Sequence, residues 1–220
     1  MPKLNLKNPE VEKYITDVAC YWIKECDIDG WRLDVGDEIS HFFWKNFRKA
    51  VKAVKKDMLI IGEIWHYAGD FLEGDEWDTV MNYPFYLNLI DLLADEKITV
   101  SQFVQNLGYL KGRLHKNCYP LMWNLIDSHD TARFLHLCND NKKKQHLAAA
   151  FQLLLPGMPM IYYGDEYAMP GANDPDCRRG MYWMKNTRTK RCMNGTSADS
   201  GPEKPCMHCR RRTGWERHRR

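Results

Sequence analysis

Short apolar runs alternate with longer helical patterns along most of this 220-residue chain. Runs at 31–35, 58–61, 79–85, 121–126 and 159–163 have the length of strands, and the run at 58–61 is apolar throughout, as in a strand buried on both faces. Apolar residues three or four apart predict helices over 8–22, 40–56 and 142–155. This alternation predicts parallel β–α units, because parallel neighbours need a long crossover connection that is usually helical.

Acidic residues gather where the predicted strands end. Asp34, Glu63 and Asp130 each follow one strand, and the Asp165–Glu166 pair follows the last. The C-terminal strand ends carry the active site of a (β/α)₈ barrel and the ligands of a doubly wound sheet, so this pattern leaves both folds open. The sequence has no Gly-x-Gly-x-x-Gly or P-loop motif, which removes the usual support for a nucleotide fold. The α/β fold that we favour is the (β/α)₈ (TIM) barrel.

The composition of the chain changes after Trp183. Residues 1–183 carry 21 basic and 26 acidic side chains, whereas residues 184–220 carry 11 and 3. The second segment also lacks Val, Ile, Leu, Phe and Tyr, so it cannot offset the entropy cost of ordering. We therefore expect a partial catalytic domain at 1–183 and a disordered basic tail at 184–220. The net charge of +3 is then no argument for nucleic-acid binding.

The tail has three competing explanations. Cys206 and Cys209 beside His208 have the spacing of half a zinc site, but a second pair is missing. A basic arm that binds nucleic acid is the second explanation. We favour the third, a frameshift after Trp183, because the codons for 184–196 read in another frame can encode an amphipathic helix. The DNA sequence tests this hypothesis, and also whether Met1 is the true start.

Two strand-end carboxyls have the placement that retaining glycoside hydrolysis requires. That reaction uses an ionised nucleophile and a protonated acid about 5–5.5 Å apart, and neighbouring strands lie roughly 4.8 Å apart. Arg32 is on the same side of its strand as Asp34 and is expected to keep it ionised. Glu63 follows an apolar run, and apolar surroundings would favour its protonated form. On spacing alone, a helix cap or a surface charge explains either carboxyl as well.

Three ordered segments resemble signature regions of the α-amylase superfamily of glycoside hydrolases. They are Asp29–Val35 (DGWRLDV), Gly62–His66 (GEIWH) and Asn124–Thr131 (NLIDSHDT). The first five residues, MPKLN, resemble a region of the neopullulanase, cyclomaltodextrinase and maltogenic amylase branch, and 162–166 and 173–178 resemble the family's last strand and following loop. The family's earliest signature region is not found here. The resemblance therefore implies roughly the C-terminal five strands of the (β/α)₈ barrel.

The resemblance implies the catalytic and sugar-binding roles of nine residues. Asp34 would be the nucleophile, Glu63 the general acid/base, and Asp130 the carboxylate that holds sugar hydroxyls in the transition state. The other six would orient the nucleophile or bind substrate: Arg32 beside Asp34, His129 at the cleaved sugar, Asp174 and Arg178 at the next glucose on the non-reducing side, and Glu38 and Trp65 on the acceptor side. Without the resemblance, a buried structural histidine is the better explanation of His129, and Trp65 is also explained as a core residue and Glu38 as a first-turn charge.

The function implied is hydrolysis of α-1,4 and also α-1,6 bonds in maltodextrins, cyclodextrins or pullulan. A general α-amylase, an oligo-α-glucosidase and a non-catalytic carbohydrate-binding remnant are the alternatives, and the isolated chain is expected to be inactive. We expect no cofactor or metal in this part, although the full-length parent could bind calcium and form a homodimer. No signal peptide, membrane span or disulfide framework is evident, which predicts a cytoplasmic protein with reduced cysteines and no membrane or nucleic-acid partner.

Overall fold

Five short parallel strands follow one another across the molecule. The structure, a computed structural model, describes residues 3–115 and 117–181. Within them, β1 pairs with β2 and β2 with β3, β4 pairs with β5, and a parallel bridge between Met81 and Trp123 joins the two groups. The strands are β1 (Gly30–Leu33), β2 (Leu59–Gly62), β3 (Thr79–Val80), β4 (Trp123–Leu125) and β5 (Met158–Met160). Their spatial order equals their chain order without the reversal of a doubly wound sheet, so the barrel prediction is favoured.

Helices cover this sheet on the outside. Asn8 and Ser40 accept hydrogen bonds from the backbone N–H groups of Glu10 and Phe43 and cap the first two helices. The predicted helices at 8–22, 40–56 and 142–155 are present with small shifts of their ends. The helices are α1 (Pro9–Cys26), α2 (His41–Val54), α3 (Tyr83–Leu89, continued by a π-helical turn at Ile90–Ala94), α4 (Val100–Arg113), α5 (Phe134–Leu137) and α6 (Lys142–Leu154).

The predicted strand at 79–85 is wrong beyond Val80. The side chain of Asn82 accepts a hydrogen bond from the N–H of Phe85 at 3.3 Å, and Pro84 stands in the first turn. Proline there is prearranged for a helix and loses no hydrogen bond, so the chain enters α3 instead of extending the strand. The predicted strand at 159–163 likewise ends at Met160.

Two apolar clusters hold the helices on the sheet. The larger lies under α1 and α2 and includes Phe43, Phe47 and Ile60; the second joins α3 through α6 and includes Phe85 and Phe134.

The strands also border a cavity of about 500 Å³ at their N-terminal ends. Its lining is largely apolar and comes from β2 to β5 and the residues beside them: Leu59, Leu121, Trp123, Met158 and Ile161 among others.

The composition-based predictions have mixed outcomes. The five cysteines in the described part of the chain are free thiols. No helix among the described residues is long and apolar enough to cross a membrane. The predicted tail at 184–220, its zinc alternative and the frameshift hypothesis lie outside the described residues, so they stay predictions.

Candidate active site

An open cavity of about 510 Å³ lies at the C-terminal ends of the strands. Six of the nine residues predicted from sequence line it, and three further residues that were not predicted contribute to its wall. The lining consists of Asp34, Val35, Asp37, Glu63, Trp65, His66, His129, Asp130 and Arg178. The polar end of the strands is therefore also the concave end, as expected for a barrel of this type.

Arg32 lies between the two carboxyls that were predicted to act as nucleophile and acid. Its Nη1 is 2.5 Å from Oδ1 of Asp34, and its Nη2 is 3.2 Å from Oε1 of Glu63. The pairing of β1 with β2 explains this contact, because Leu33 lies opposite Gly62 and the next residues of each strand come out side by side. One guanidinium thus faces two carboxyls and can balance the charge of only one.

The two carboxyls differ in exposure. The side chain of Asp34 is 73% exposed to the cavity, whereas that of Glu63 is 4% exposed. The carboxyl of Glu63 nevertheless has polar neighbours: it accepts hydrogen bonds from the N–H of Val35 at 2.9 Å and from Nε1 of Trp65 at 3.1 Å. The apolar surroundings predicted for Glu63 are therefore wrong in detail, because the residues after β1 and β2 aim donors at it.

Val35 adopts a left-handed backbone conformation, with φ of +46°. This conformation is an outlier for a β-branched residue and has a cost on the order of 1–3 kcal/mol. It turns the chain after Asp34 so that the Val35 N–H donates to Glu63. Val35 was not predicted as a site residue, and only the structure shows this strained turn.

Asp130 lies in a network with three other predicted residues. Its two carboxylate oxygens are 3.2 Å from Nε2 of His129 and 3.1 Å from Nη2 of Arg178. Arg178 also donates from Nε to the backbone oxygen of His129 and pairs with Asp174 at 3.0 Å. The loop that contains Asp174 is thereby held against the end of β4. Asp174 itself supports Arg178 and does not line the cavity.

Glu38 occupies a different position from the other predicted residues. Its carboxylate pairs with the amino group of Lys3, and it lines a neighbouring cavity of about 530 Å³ instead of the main one. Asp34 and Val35 line both cavities, so Glu38 lies behind the turn that follows β1.

Tyr83 lies beneath the site and was not singled out from the sequence. Its hydroxyl donates to Oγ of Ser128 at 3.2 Å, and its ring stacks on Trp65 at 4.1 Å. Burial raises the pKa of Tyr83 to about 12, and the negative charges of Glu63 and Asp130 act in the same direction. The ring therefore serves as a neutral support between these two carboxyls.

A buried charged cluster supports the segment that contains Asp130. Arg133 is fully buried, lies 3.2 Å from Asp165 and donates to the backbone oxygens of Tyr163 and Cys177. Asp165 is hydrogen-bonded to Asp127. Burial raises the pKa of Asp127 well above its usual range, with the charge of Asp165 adding to the effect, and burial raises the pKa of Asp165 to about 6. The pair therefore holds a proton between its two carboxyls up to a higher pH than free carboxyls do.

Metal ligands are not assembled in this part of the molecule. Among residues 3–115 and 117–181, no group of three or more His, Cys, Asp or Glu side chains is arranged to hold a metal ion. The ionisable side chains at the site are its carboxyls, the two histidines His66 and His129, and the guanidinium groups of Arg32 and Arg178.

Consecutive parallel strands, outer helices and carboxyls at the C-terminal strand ends define a class, the α/β-barrel proteins with an acidic site. Within that class the chain belongs to the α-amylase family, because the family description "Alpha amylase, catalytic domain" matches residues 1–219. The fold is accordingly that of part of a (β/α)₈ barrel, as predicted.

Three similar proteins show the branch. Cyclomaltodextrinase from Thermoanaerobacter pseudethanolicus is 50% identical over 194 residues, which cover 88% of this chain and 34% of that protein. Neopullulanase 2 from Thermoactinomyces vulgaris is 47% identical over 190 residues, or 86% of this chain and 32% of that protein. The cyclic alpha-maltosyl-(1→6)-maltose hydrolase structure from Arthrobacter globiformis matches with a TM-score of 0.84 at 39% identity, covering 88% of this chain and 44% of the other.

The chain spans about a third of the length of these curated relatives. The predicted branch of cyclomaltodextrinases, neopullulanases and maltogenic amylases is confirmed by the names of the relatives. The roles of the individual site residues are not tested by these similarities and stay predictions.

Proposed function

We propose that this site hydrolyses α-glucosidic bonds with retention, through a covalent intermediate on Asp34. The observation that carries the proposal is the position of the Arg32 guanidinium between an exposed Asp34 and a buried Glu63. α-1,4-linked maltodextrins and cyclodextrins are the proposed substrates, with α-1,6 bonds as a second specificity, since the relatives are named for such glucans.

The proposed reaction assigns one step to each carboxyl. Asp34 attacks the anomeric carbon while Glu63 gives its proton to the departing glycosidic oxygen, which leaves a glycosyl ester on Asp34. Glu63 then takes a proton from water, and the resulting hydroxide displaces Asp34 with a second inversion. Asp130, held by His129 and Arg178, binds sugar hydroxyls as the ring distorts.

The direct test is a chimera in which residues 3–181 replace the aligned stretch of the T. pseudethanolicus cyclomaltodextrinase. We expect it to cleave 4-nitrophenyl maltoside and to release the α-anomer first, seen by NMR. Asp34→Asn should lower kcat roughly 10³-fold or more, because no nucleophile remains. Asp57→Asn, an exposed carboxyl outside the site, is the matched control and should be unchanged.

A second measurement separates the two carboxyl roles. A 5-fluoroglycosyl fluoride should label the Asp34 peptide, seen by mass spectrometry. Glu63→Gln should lose far more activity on maltoheptaose than on a substrate whose leaving group needs no protonation. An unlabelled Asp34 peptide, or first release of the β-anomer, would exclude the retaining mechanism.

The second candidate function is carbohydrate binding without turnover by the chain alone. It is favoured by the open outer edges of β1 and β5, which have no strand partner among the described residues. The isolated chain should then bind maltoheptaose but release no 4-nitrophenol from the maltoside, and release that depends on Asp34 would reject this candidate.

A further inference from the structure

A smaller cavity lies outside the site, between α3, α4 and the segment after β2. Its volume is about 260 Å³, and the side chains that matter for its chemistry are Tyr67, Asn88, Asn106, Tyr109 and Arg113. α3 follows β3, a middle strand paired on both sides. The pocket therefore lies away from the open edges of the sheet. We call these five residues the tyrosine pocket.

Aromatic and guanidinium groups form one wall of the tyrosine pocket. The guanidinium of Arg113 lies 4.0 Å from the ring centre of Tyr67 and 5.3 Å from that of Tyr109. The hydroxyl of Tyr67 donates to the backbone oxygen of Arg113 at 2.7 Å, which fixes the loop after β2 to the end of α4. Tyr109 is 67% exposed, so an aromatic surface stays open to solvent.

Two amide side chains supply the polar groups. Asn106 donates to Oδ1 of Asn88 at 2.7 Å, and Asn88 donates to the backbone oxygen of Pro84 at 2.8 Å. An asparagine has two N–H donors and an oxygen that accepts two hydrogen bonds, so these contacts orient both amides and leave donors and acceptors available to a ligand.

The tyrosine pocket is linked to the active site by a short stretch of chain. Glu63, Trp65 and Tyr67 are alternate residues, and Trp65 lines the active-site cavity while it donates to Glu63. Trp65 also stacks on Tyr83, and the next residue, Pro84, lines the same cavity as the tyrosine pocket. The pocket thus lies on the Glu63 side of the site.

The chemistry of the pocket suits a neutral sugar. An aromatic ring packs against the C–H face of a pyranose, amides pair with its hydroxyls, and no carboxylate lines the pocket to repel or bind a charged group. The guanidinium of Arg113 keeps its charge over the two tyrosine rings, so its N–H groups are donors for sugar hydroxyls, and an anion is the competing ligand that inorganic phosphate tests.

We propose that the tyrosine pocket binds a glucose unit of the α-glucan chain on the leaving-group side, beyond the active-site cavity. The assignment of the pocket to the leaving-group side rests on the proposed function, in which Glu63 protonates the leaving sugar. Binding of the glucan at the pocket does not depend on catalysis.

The test measures binding of maltoheptaose to the full chain by titration calorimetry. Tyr109→Ala and Asn106→Ala should each raise Kd roughly 2–10-fold, as expected for loss of one ring or amide contact. Tyr14→Ala is the matched control, because Tyr14 on α1 is also 67% exposed and lines neither the active-site cavity nor the tyrosine pocket. Circular dichroism confirms that each variant is folded.

Several results would overturn the proposal. They are the absence of maltoheptaose binding to the wild-type chain, the same Kd for Tyr109→Ala and Tyr14→Ala, and displacement of maltoheptaose from the pocket by inorganic phosphate. Failure of the proposed function looks different: the chimera would then give no labelled Asp34 peptide while Tyr109→Ala still weakened binding.

Discussion

The middle strands and the outer strands of this sheet differ in burial although their residues are similar. Ile60 on β2 is 0% exposed, whereas Ile161, just after β5, is 58% exposed, and Met158 on β5 is 52% exposed. The middle strands have a neighbour on each side, while β1 and β5 have a single strand neighbour among the described residues. An apolar sequence therefore shows that a strand can be buried. Whether it is buried depends on the strands that pair with it on each side.

The same difference appears in the site. Glu63 follows β2 and is enclosed, whereas Asp34 follows the outer strand β1 and is open to solvent. The proposed acid and nucleophile thus acquire unlike surroundings from their places in the sheet.

The largest expected difference in stability is between two isoleucine-to-alanine substitutions, one on a middle strand and one beside an outer strand. Ile60→Ala should lower the free energy of unfolding by about 2–5 kcal/mol, because it leaves a cavity in packed core. Ile161→Ala should change it by about 0.5 kcal/mol or less, since more than half of this residue is already exposed to solvent. Urea unfolding followed by circular dichroism measures both, and equal losses would contradict the comparison.

The sequence predicts the repeating parts of this fold well. Capped helices α1, α2 and α6 and strands β1 and β2 follow from apolar spacing, Asn8, Ser40 and a continuous apolar run. The six predicted residues that line one cavity were named from the resemblance more than from the spacing. Local patterns suffice where a segment's own residues decide its structure.

The parts that were missed depend on residues far apart in sequence. Tyr83 stands in an apolar run that resembles a strand, and its contacts with Ser128 and Trp65 place it under the site. Arg133 finds its partners at Asp165 and Cys177, more than 30 residues away. Glu38 was assigned by resemblance, and its pairing with Lys3 could not be inferred from the segment around it.

A second prediction concerns the close contact of β2 with Trp77. A Cβ atom on Gly62 would lie 2.2 Å from the Trp77 ring, so Gly62→Ala should cost about 1–3 kcal/mol and displace the adjacent Glu63. Gly112→Ala on α4 meets nothing within 4 Å and should instead stabilise the chain by about 0.5–1 kcal/mol. Thermal unfolding of both variants checks the opposite signs, and a neutral Gly62→Ala would show that the middle strands are less tightly packed than described.

A third prediction tests how β5 is held to β4 at the polar end. Asp127 and Asp165 follow these strands, and burial raises the pKa of each above its unfolded value. The folded chain therefore binds more protons than the unfolded chain, so the contribution of Asp165 to stability is complete below about pH 4 and is lost as pH rises through about 6, and that of Asp127 is lost as pH rises through its own raised pKa. For one proton, the free energy of unfolding changes by at most about 1.4 kcal/mol per pH unit.

Asp127→Asn should remove much of this slope, because an amide keeps the hydrogen bond from the Phe134 N–H and can donate to Asp165 at any pH. Urea unfolding of the variant and the wild type between pH 4 and 7 gives the difference. Parallel curves for the two proteins would show that the pair carries no shared proton.

The smallest expected effect on stability concerns the exposed outer strand itself. An open strand edge with apolar residues favours association between chains, so the wild-type chain should self-associate with concentration in sedimentation velocity. Met158→Lys should reduce this association while changing the free energy of unfolding by about 0.5 kcal/mol or less, because the residue is half in water. Val104→Lys on α4, 61% exposed and distant from both outer strands, is the control and should associate like the wild type. If both lysines reduced association equally, general surface charge would explain the effect. The association could then not be assigned to the exposed edge of an outer strand.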